Sequence, residues 1–413
     1  MPTEKGKGGH IELLIATHSL ASLAGAPLHT LDVCRGFKRA GHDVSVFTLH
    51  EGAVSATLEG EGFPVYSLRD YRRLGRESFD LIYLYHATCE ALLGLIFAGR
   101  VPIVRGYIGR GSTLANPVNG GFASAATYIS EGVRELMVGL DPRNARIPAL
   151  IARNVYDDQG VDRGAGLAEP PANAPNLAVV SNHLIAGLAE RLGAASERGL
   201  CRFTHFGYPD SSVPITPELL MKFDAVITVG RTVLPAAALG KPVYLCDIHG
   251  TEGWLKPDTY AESQLHSFSG RLQTIEDWDL VERQLLDTGS WPSIDELRSL
   301  SELVERDHAL SRRVEQLEAF FVAVIDDAPP PVQPVDGYMA LFGDILKREQ
   351  GADKTIPGDR HRHRELVRAM ETAEQEAEAK DREIRQLKRR LRRQRERNRS
   401  LQSQLEARQD PQA

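Results

Sequence analysis

Two successive series of short apolar strands, each closed by a turn and followed by a helical segment, constrain this chain more than any other feature. Strands that alternate with helices specify a parallel sheet with crossover helices, an α/β architecture. The first series opens with HIELLIAT (His10 to Thr17), the small-residue turn HSLASLAGAP and the helix HTLDVCRGFKRAGH, which ends at Gly41, a suitable left-handed cap. DVSVFTL, FPVYSL, DLIYLYHA and VPIVRGYIG continue it, and TYISEGVREL leads to RIPALIARNVYDD. A stretch rich in Gly, Pro, Ala and Asp, Gln159 to Pro175, has the composition of a linker. A second series follows in NLAVVSNHL, LIAGLAERL, RFTHFGYPD, DAVITVGRT and KPVYLCDIHG. The expected fold is therefore two Rossmann-like doubly wound domains whose strand carboxyl ends face one cleft, where such sheets bind ligands.

At 413 residues the chain exceeds one ordinary core. The expected divisions are 1–158, a linker at 159–175, a second domain at 176–330, a closing helix and linker at 331–361, and a tail at 362–408. The longest apolar run, Ala91 to Gly99, is too short to span a bilayer. The N-terminus lacks an export-signal pattern, so the expected setting is cytoplasmic. Cys34, Cys89, Cys201 and Cys246 show no CxxC spacing, which favours buried thiols over a disulfide framework or a zinc site.

The tail differs in kind. From Arg362 onward fifteen Lys/Arg stand against ten Asp/Glu, while the body has 34 against 46 and a charge of −12. That body disfavours nucleic acid as a partner. Leu366, Met370, Ala373, Ala377, Lys380, Ile384, Leu387, Leu391, Gln394, Asn398, Leu401 and Leu405 follow a 4,3 spacing, a coiled-coil seam that predicts a homodimer through residues 362–408. A single solvated helix is the alternative, since Lys380 and Gln394 interrupt the seam. Nine Lys/Arg between Arg385 and Arg399 give the tail the charge for peripheral contact with an anionic surface.

The chemistry concentrates in VGRTVLPAAALGKPV (Val229 to Val243). Gly230 ends a strand, Thr232 is placed to cap the next helix, and Arg231 adds a fixed positive charge beside free backbone N–H groups, a combination suited to phosphate. A strand–glycine–helix start also serves packing alone. Past the following strand come Asp247, His249, Gly250 and Gly253, and then HSFSGR, ending at Arg271. Glycine loops with hydrogen-bonding groups thus fall at neighbouring strand ends.

GRTVLPAAALGKPVYL, the D-x-x-G-x-x-G-W loop and the SGR element together resemble the donor-binding half of GT-B glycosyltransferases of the retaining family 4-like group. One subgroup has a loop close to YDH-x-GG-x-GY/W followed by NFSGR, to which CDIHGTEGW and HSFSGR are similar. LAGAPLHTLDVCRGFKRAGHDVSVFT is similar to the family's acceptor-domain turn, helix and strand, and the likeness covers roughly residues 10 to 275.

The resemblance implies transfer of a sugar from a nucleotide-diphosphate donor to a glycan or glycoconjugate, with retention and without metal or other cofactor. His86 matches the family's active-site histidine beside the transferred sugar, where it would orient the sugar and stabilise charge. Gly25 and Ala26 would lie near the donor phosphates. Asn182 and His183 occupy a loop where relatives place a basic pair, and Arg231 would take over that charge. Gly207 ends the strand expected against the nucleobase. Arg105, Tyr107 and Arg110 would reach the cleft from the acceptor side.

Departures are equally definite. Many members of the family carry two glutamates around the donor-domain helix, yet none occurs between Asp224 and Thr251, and Pro235 stands at the ribose-binding position. Two rival functions therefore stay open: a catalytically inactive scaffold acting through its coiled coil, and a nucleotide-sugar epimerase on the same fold.

Overall fold

The computed structural model describes residues 9–23, 25–97, 99–109, 116–117, 121–181, 186–207, 213–248, 250–273 and 277–327. All fall in the compact unit that runs from Met1 to Arg348. The heptad segment and the basic run of the tail lie outside the described residues, as do Arg110, Asn182, His183 and His249.

The first sheet contains β1 (Glu12–Ser19), β2 (Asp43–His50), β3 (Val65–Tyr66), β4 (Leu81–Leu84), β5 (Ile103–Tyr107), β6 (Ala125–Tyr128) and β7 (Ala149–Ile151), in the order β3-β2-β1-β4-β5-β6-β7. Every neighbouring pair is parallel. Parallel strands are covered on both faces, which is why Leu13–Ala16 of β1 and Leu81–Leu84 of β4 read as continuous apolar runs rather than alternating ones. Its helices are α1 (Gly25–Arg39), α2 (Ala53–Gly60), α3 (Tyr71–Leu74), α4 (Ala87–Phe97) and α5 (Glu131–Leu140). α1 stops as expected before Gly41, whose φ of +91° an L side chain rarely adopts.

The second sheet contains β8 (Asn176–Val180), β9 (Arg202–Phe206), β10 (Ala225–Thr228), β11 (Val243–Asp247) and β12 (Gly250–Trp254), in the order β12-β11-β10-β8-β9. Four strands run parallel and β12 returns antiparallel on β11. The helices that follow are α6 (Ala186–Glu197), α7 (Pro217–Leu220), α8 (Val233–Ala238), α9 (Tyr260–Leu265), α10 (Trp278–Leu286), α11 (Ile294–His308) and α12 (Leu310–Asp327). In both sheets the strand order reverses direction once, between β1 and β4 and between β8 and β10. Those reversals open the crevices at the strand carboxyl ends.

Two expected boundaries are corrected. The second domain does not run to residue 330: Leu310, Val314, Leu317, Phe321 and Val324 of α12 are buried in the core beneath β1 and α1 of the first domain. Phe321 stacks on Phe37 at 5.5 Å, and a Cβ on Gly36 would come within 2.6 Å of Val314, so the helix backbones approach closely because position 36 lacks a side chain. The segment read as a linker is docked as well, with Gly164 and Gly166 N–H groups bonded to the carbonyls of Ala238 and Leu239. The chain instead crosses between domains around residues 154–158 and back at 308–311. There His308 Nδ1 lies 2.6 Å from the Asn154 carbonyl, and the Ser311 hydroxyl bonds Asp158 at 2.7 Å.

Gly250–Trp254, expected as part of a glycine loop, form β12, with a register irregularity between Leu245 and Cys246 and a φ of +75° at Gly253. All four cysteines are buried free thiols.

Candidate functional site

At the reversal in the first sheet, β1 delivers Thr17 and His18, and His86 lies two residues past the end of β4. His86 Nδ1 accepts the backbone N–H of His18 at 3.1 Å and lies 3.2 Å from the Thr17 hydroxyl. A backbone N–H can only donate, so Nδ1 is a lone pair and the neutral ring carries its proton on Nε2. Burial, reinforced by the Arg105 charge and by His18, pushes His86 down to about 3. It is therefore a fixed neutral donor at ordinary pH, suited to a hydroxyl or phosphate oxygen and unsuited to general-base work. His18 is pushed down to about 3 by burial and then by His50. Its Nδ1 lies 3.0 Å from the Thr88 hydroxyl, and its ring meets His50 edge-on at 4.7 Å.

The reversal in the second sheet presents the turn after β10. Gly230 adopts φ +66°, and its N–H goes to the Phe268 carbonyl at 2.7 Å. Residues Gly230–Thr232 form a 3-10 turn that runs into the six-residue α8. Thr232 makes no side-chain cap bond, which corrects its expected capping role; its own backbone is already helical. Pro235 falls in the first turn of α8, where a missing N–H breaks no helical bond.

Arg231 bridges the two domains by donating to Asp32 on α1. Asp32 is only 4% exposed, and burial raises its carboxyl above the ordinary range despite the opposing pull of Arg231. Arg231 Nε is shielded from solvent and has no hydrogen-bond partner. One turn earlier on α1, His29 is buried against Tyr85 and pushed down to about 3 by burial, then by Arg231 and Arg313.

The motifs flanking this turn pack on one another. A Cβ on Gly250 would lie 2.2 Å from the Gln273 carbonyl oxygen and 2.7 Å from that of Gly270. One on Gly270 would lie 2.7 Å from Val229 Cγ1. The Thr251 N–H bonds the Gln273 carbonyl at 2.9 Å, so β12 and the SGR segment are tied beside the end of β10. Asp247 is buried at the end of β11, and Arg271 is exposed. Gly207 closes β9 with φ +138°, while Gly25 and Ala26 begin α1.

Arg105 and Tyr107 do not reach an acceptor. Arg105 has no exposed surface; it pairs with Glu90 of α4 at 3.1 Å and lies over the Tyr107 ring. Tyr107, 3% exposed, stacks on Tyr128 and donates to Asn144. Both are interior groups of the first domain, and their acceptor-side reading is corrected.

His18, Asp32 and Glu252 escaped the reading of the sequence. Glu252, on β12, keeps both carboxylate oxygens shielded with no hydrogen-bond partner. Only Asp32 left a local signal: it shares the apolar face of α1 with His29 and Gly36, where a carboxylate is out of place.

No protein-family model and no curated protein sequence matches the chain. Solved structures do. The Anabaena protein HepE in complex with UDP and glucose matches with a TM-score of 0.54 at 15% identity, over 76% of this chain and 100% of that one. Its UDP-glucose complex gives 0.52 at 15% identity, with the same coverage. A glycosyltransferase from Rickettsia africae matches at 0.54 and 12% identity, over 77% of this chain and all of that one. At such identities the likeness establishes the fold: a GT-B arrangement of two Rossmann-like domains facing a cleft.

Proposed function

We propose that this protein is a glycosyltransferase that moves a sugar from a nucleotide-diphosphate donor to a glycan or glycoconjugate acceptor with retention of configuration. The observation that carries the reading is the Arg231–Asp32 contact between domains, which holds a cation of the Gly230 turn of the second domain against α1 of the first. Arg231 would neutralise charge on the leaving diphosphate, and the neutral Nε2–H of His86 would hold the sugar. In the reaction the bond from the anomeric carbon to phosphate breaks and the acceptor oxygen bonds that carbon on the same face. The acceptor's proton passes to the departing phosphate oxygen, which requires no enzymic base and agrees with a His86 that cannot readily take up a proton. UDP-glucose is a first donor to try, because the similar HepE structure holds it.

Transfer and hydrolysis from a panel of UDP-, GDP- and ADP-sugars, comparing the parent with His86→Ala and Arg231→Ala, test the reading. Activity with at least one donor, lost in both variants, is expected. If no nucleoside diphosphate raises the melting temperature at millimolar concentration, the reading fails and the inactive scaffold replaces it.

A further inference from the structure

Arg231 is the proposed phosphate ligand, yet its guanidinium is already engaged by a carboxylate from the other domain. Asp32 is a poor place to leave a negative charge. It is 4% exposed, and the other groups around it offer little compensation. Arg35, on the same helix, is held by Glu61, and Asp157, at the domain crossover, is repulsive and is itself held by Arg39 at 2.9 Å. Cys34 and Tyr85 nearby are kept neutral by burial. His29 is neutral too. Arg231 is thus the chief compensation for the Asp32 charge, while its own shielded Nε has no partner.

We propose that Asp32 is a positioning residue that holds Arg231 across the cleft until a diphosphate takes the guanidinium over. Asp32 then sets the affinity for the anionic ligand by competing with it. This rests on the donor reading above. When Arg231 turns to phosphate, Asp32 loses its counter-charge and takes a proton from solvent, because a buried carboxylate without a partner is more stable neutral. Bound protein therefore holds Asp32 at a higher pKa than free protein does. Binding takes up a proton, and affinity strengthens as pH falls towards the free-state value.

The test measures binding of inorganic pyrophosphate and of UDP, GDP and ADP by calorimetry on the full chain, in two buffers of different ionisation enthalpy. Asp32→Asn keeps the shape and removes the competing charge, so binding should tighten about fivefold. Asp32→Ala, as a second variant, should shift it in the same direction. Neither change should matter once Arg231 is alanine, and the proton uptake of the parent should vanish in Asp32→Asn. Binding that is unchanged or weaker in both Asp32 variants overturns the proposal, as does equal tightening with Ala at 231. Pyrophosphate following the pattern while no nucleotide binds sinks the donor reading and keeps the exchange. Nucleotide binding without the pattern does the reverse, and no binding of any probe sinks both.

Discussion

The carbonyl oxygen of Phe268 accepts the Gly230 N–H at 2.7 Å, and Phe268 is a non-glycine residue held at φ +53°. Its own N–H goes to the Ser263 carbonyl at 2.7 Å, and its buried ring lies between Tyr260 and His308 at 5.7 and 5.6 Å. A left-handed conformation at a bulky residue persists where surrounding contacts overdetermine it. The Gly230 turn is therefore shaped by a segment nearly forty residues later in the chain. Phe268→Ala should cost about 3–4 kcal/mol of stability in denaturant unfolding. Nucleotide affinity, measured well below the midpoint, should fall at the same time, because the Gly230 turn loses the ring that anchors its partner.

Acid sensitivity follows from two buried histidines, His29 and His308, and two half-buried ones, His18 and His86. His18, His29 and His86 are pushed down to about 3 and His308 to about 4, in each case chiefly by burial. Between those values and the ordinary 6.5, the unfolded chain binds protons that the folded one refuses, so stability falls as pH drops through this window. His29→Phe should flatten that fall, by up to about 1.4 kcal/mol per pH unit between about pH 4 and 6. Unfolding free energies of the two proteins across that range read the difference. Parallel curves would mean that His29 is charged in the folded state.

Glu90 and Arg105 form an ion pair with almost no exposed surface. The second Glu90 oxygen accepts the backbone N–H groups of Phe122 and Ala123 at 2.7 and 3.2 Å. Glu90→Gln keeps an acceptor for the backbone and removes the carboxylate that Arg105 faces in the interior. Removing one member of a buried pair costs about 3–5 kcal/mol. The loss should appear in chemical unfolding, and Arg105→Met with Glu90→Gln should recover part of it because the interior guanidinium is then removed as well.

How much of this was legible in the sequence depends on whether a feature is local. Parallel strands leave uninterrupted apolar runs, so HIELLIAT and DAVITV could be read as strands, and Gly230, Gly250 and Gly270 could be read as turns near one another. The burial of Arg105 could not, because its partner lies fifteen positions earlier on another element and nothing within VPIVRGYIG announces it. The Gly250–Gly270 contact sharpens the point. The motif spelling gave both glycines, but only the fold shows that one backbone occupies the space a Cβ at the other would need.

That contact separates two otherwise similar glycines. Gly250→Ala would drive a Cβ into the Gln273 and Gly270 carbonyl oxygens, neither of which is a flexible side-chain end. Gly253 has open space around it and only its φ of +75° against substitution. Gly253→Ala should cost about 1–2 kcal/mol with donor affinity kept. Gly250→Ala should cost more and displace the SGR segment, lowering nucleotide affinity. Equal effects of the two on affinity would show that the segment is not held by this packing.

Helix α12 returns to the first domain after the second sheet is complete. Its amphipathic pattern announces a buried face but not which core receives it, and the receiving core is that of the first domain. Phe321 is fully buried against Phe37 and Tyr83, so Phe321→Ala opens a cavity beneath β1 and β4 although position 321 follows the entire second sheet in the chain. A loss of about 3–5 kcal/mol is expected. Hydrogen exchange then distinguishes the packing: protection should fall in β1, α1 and β4 while β10 and β11 keep theirs. Gly36→Ala, which presses a methyl group into Val314, should loosen the same first-domain elements from the opposite side of the contact. A loss of protection confined to the second sheet in both variants would contradict the shared core.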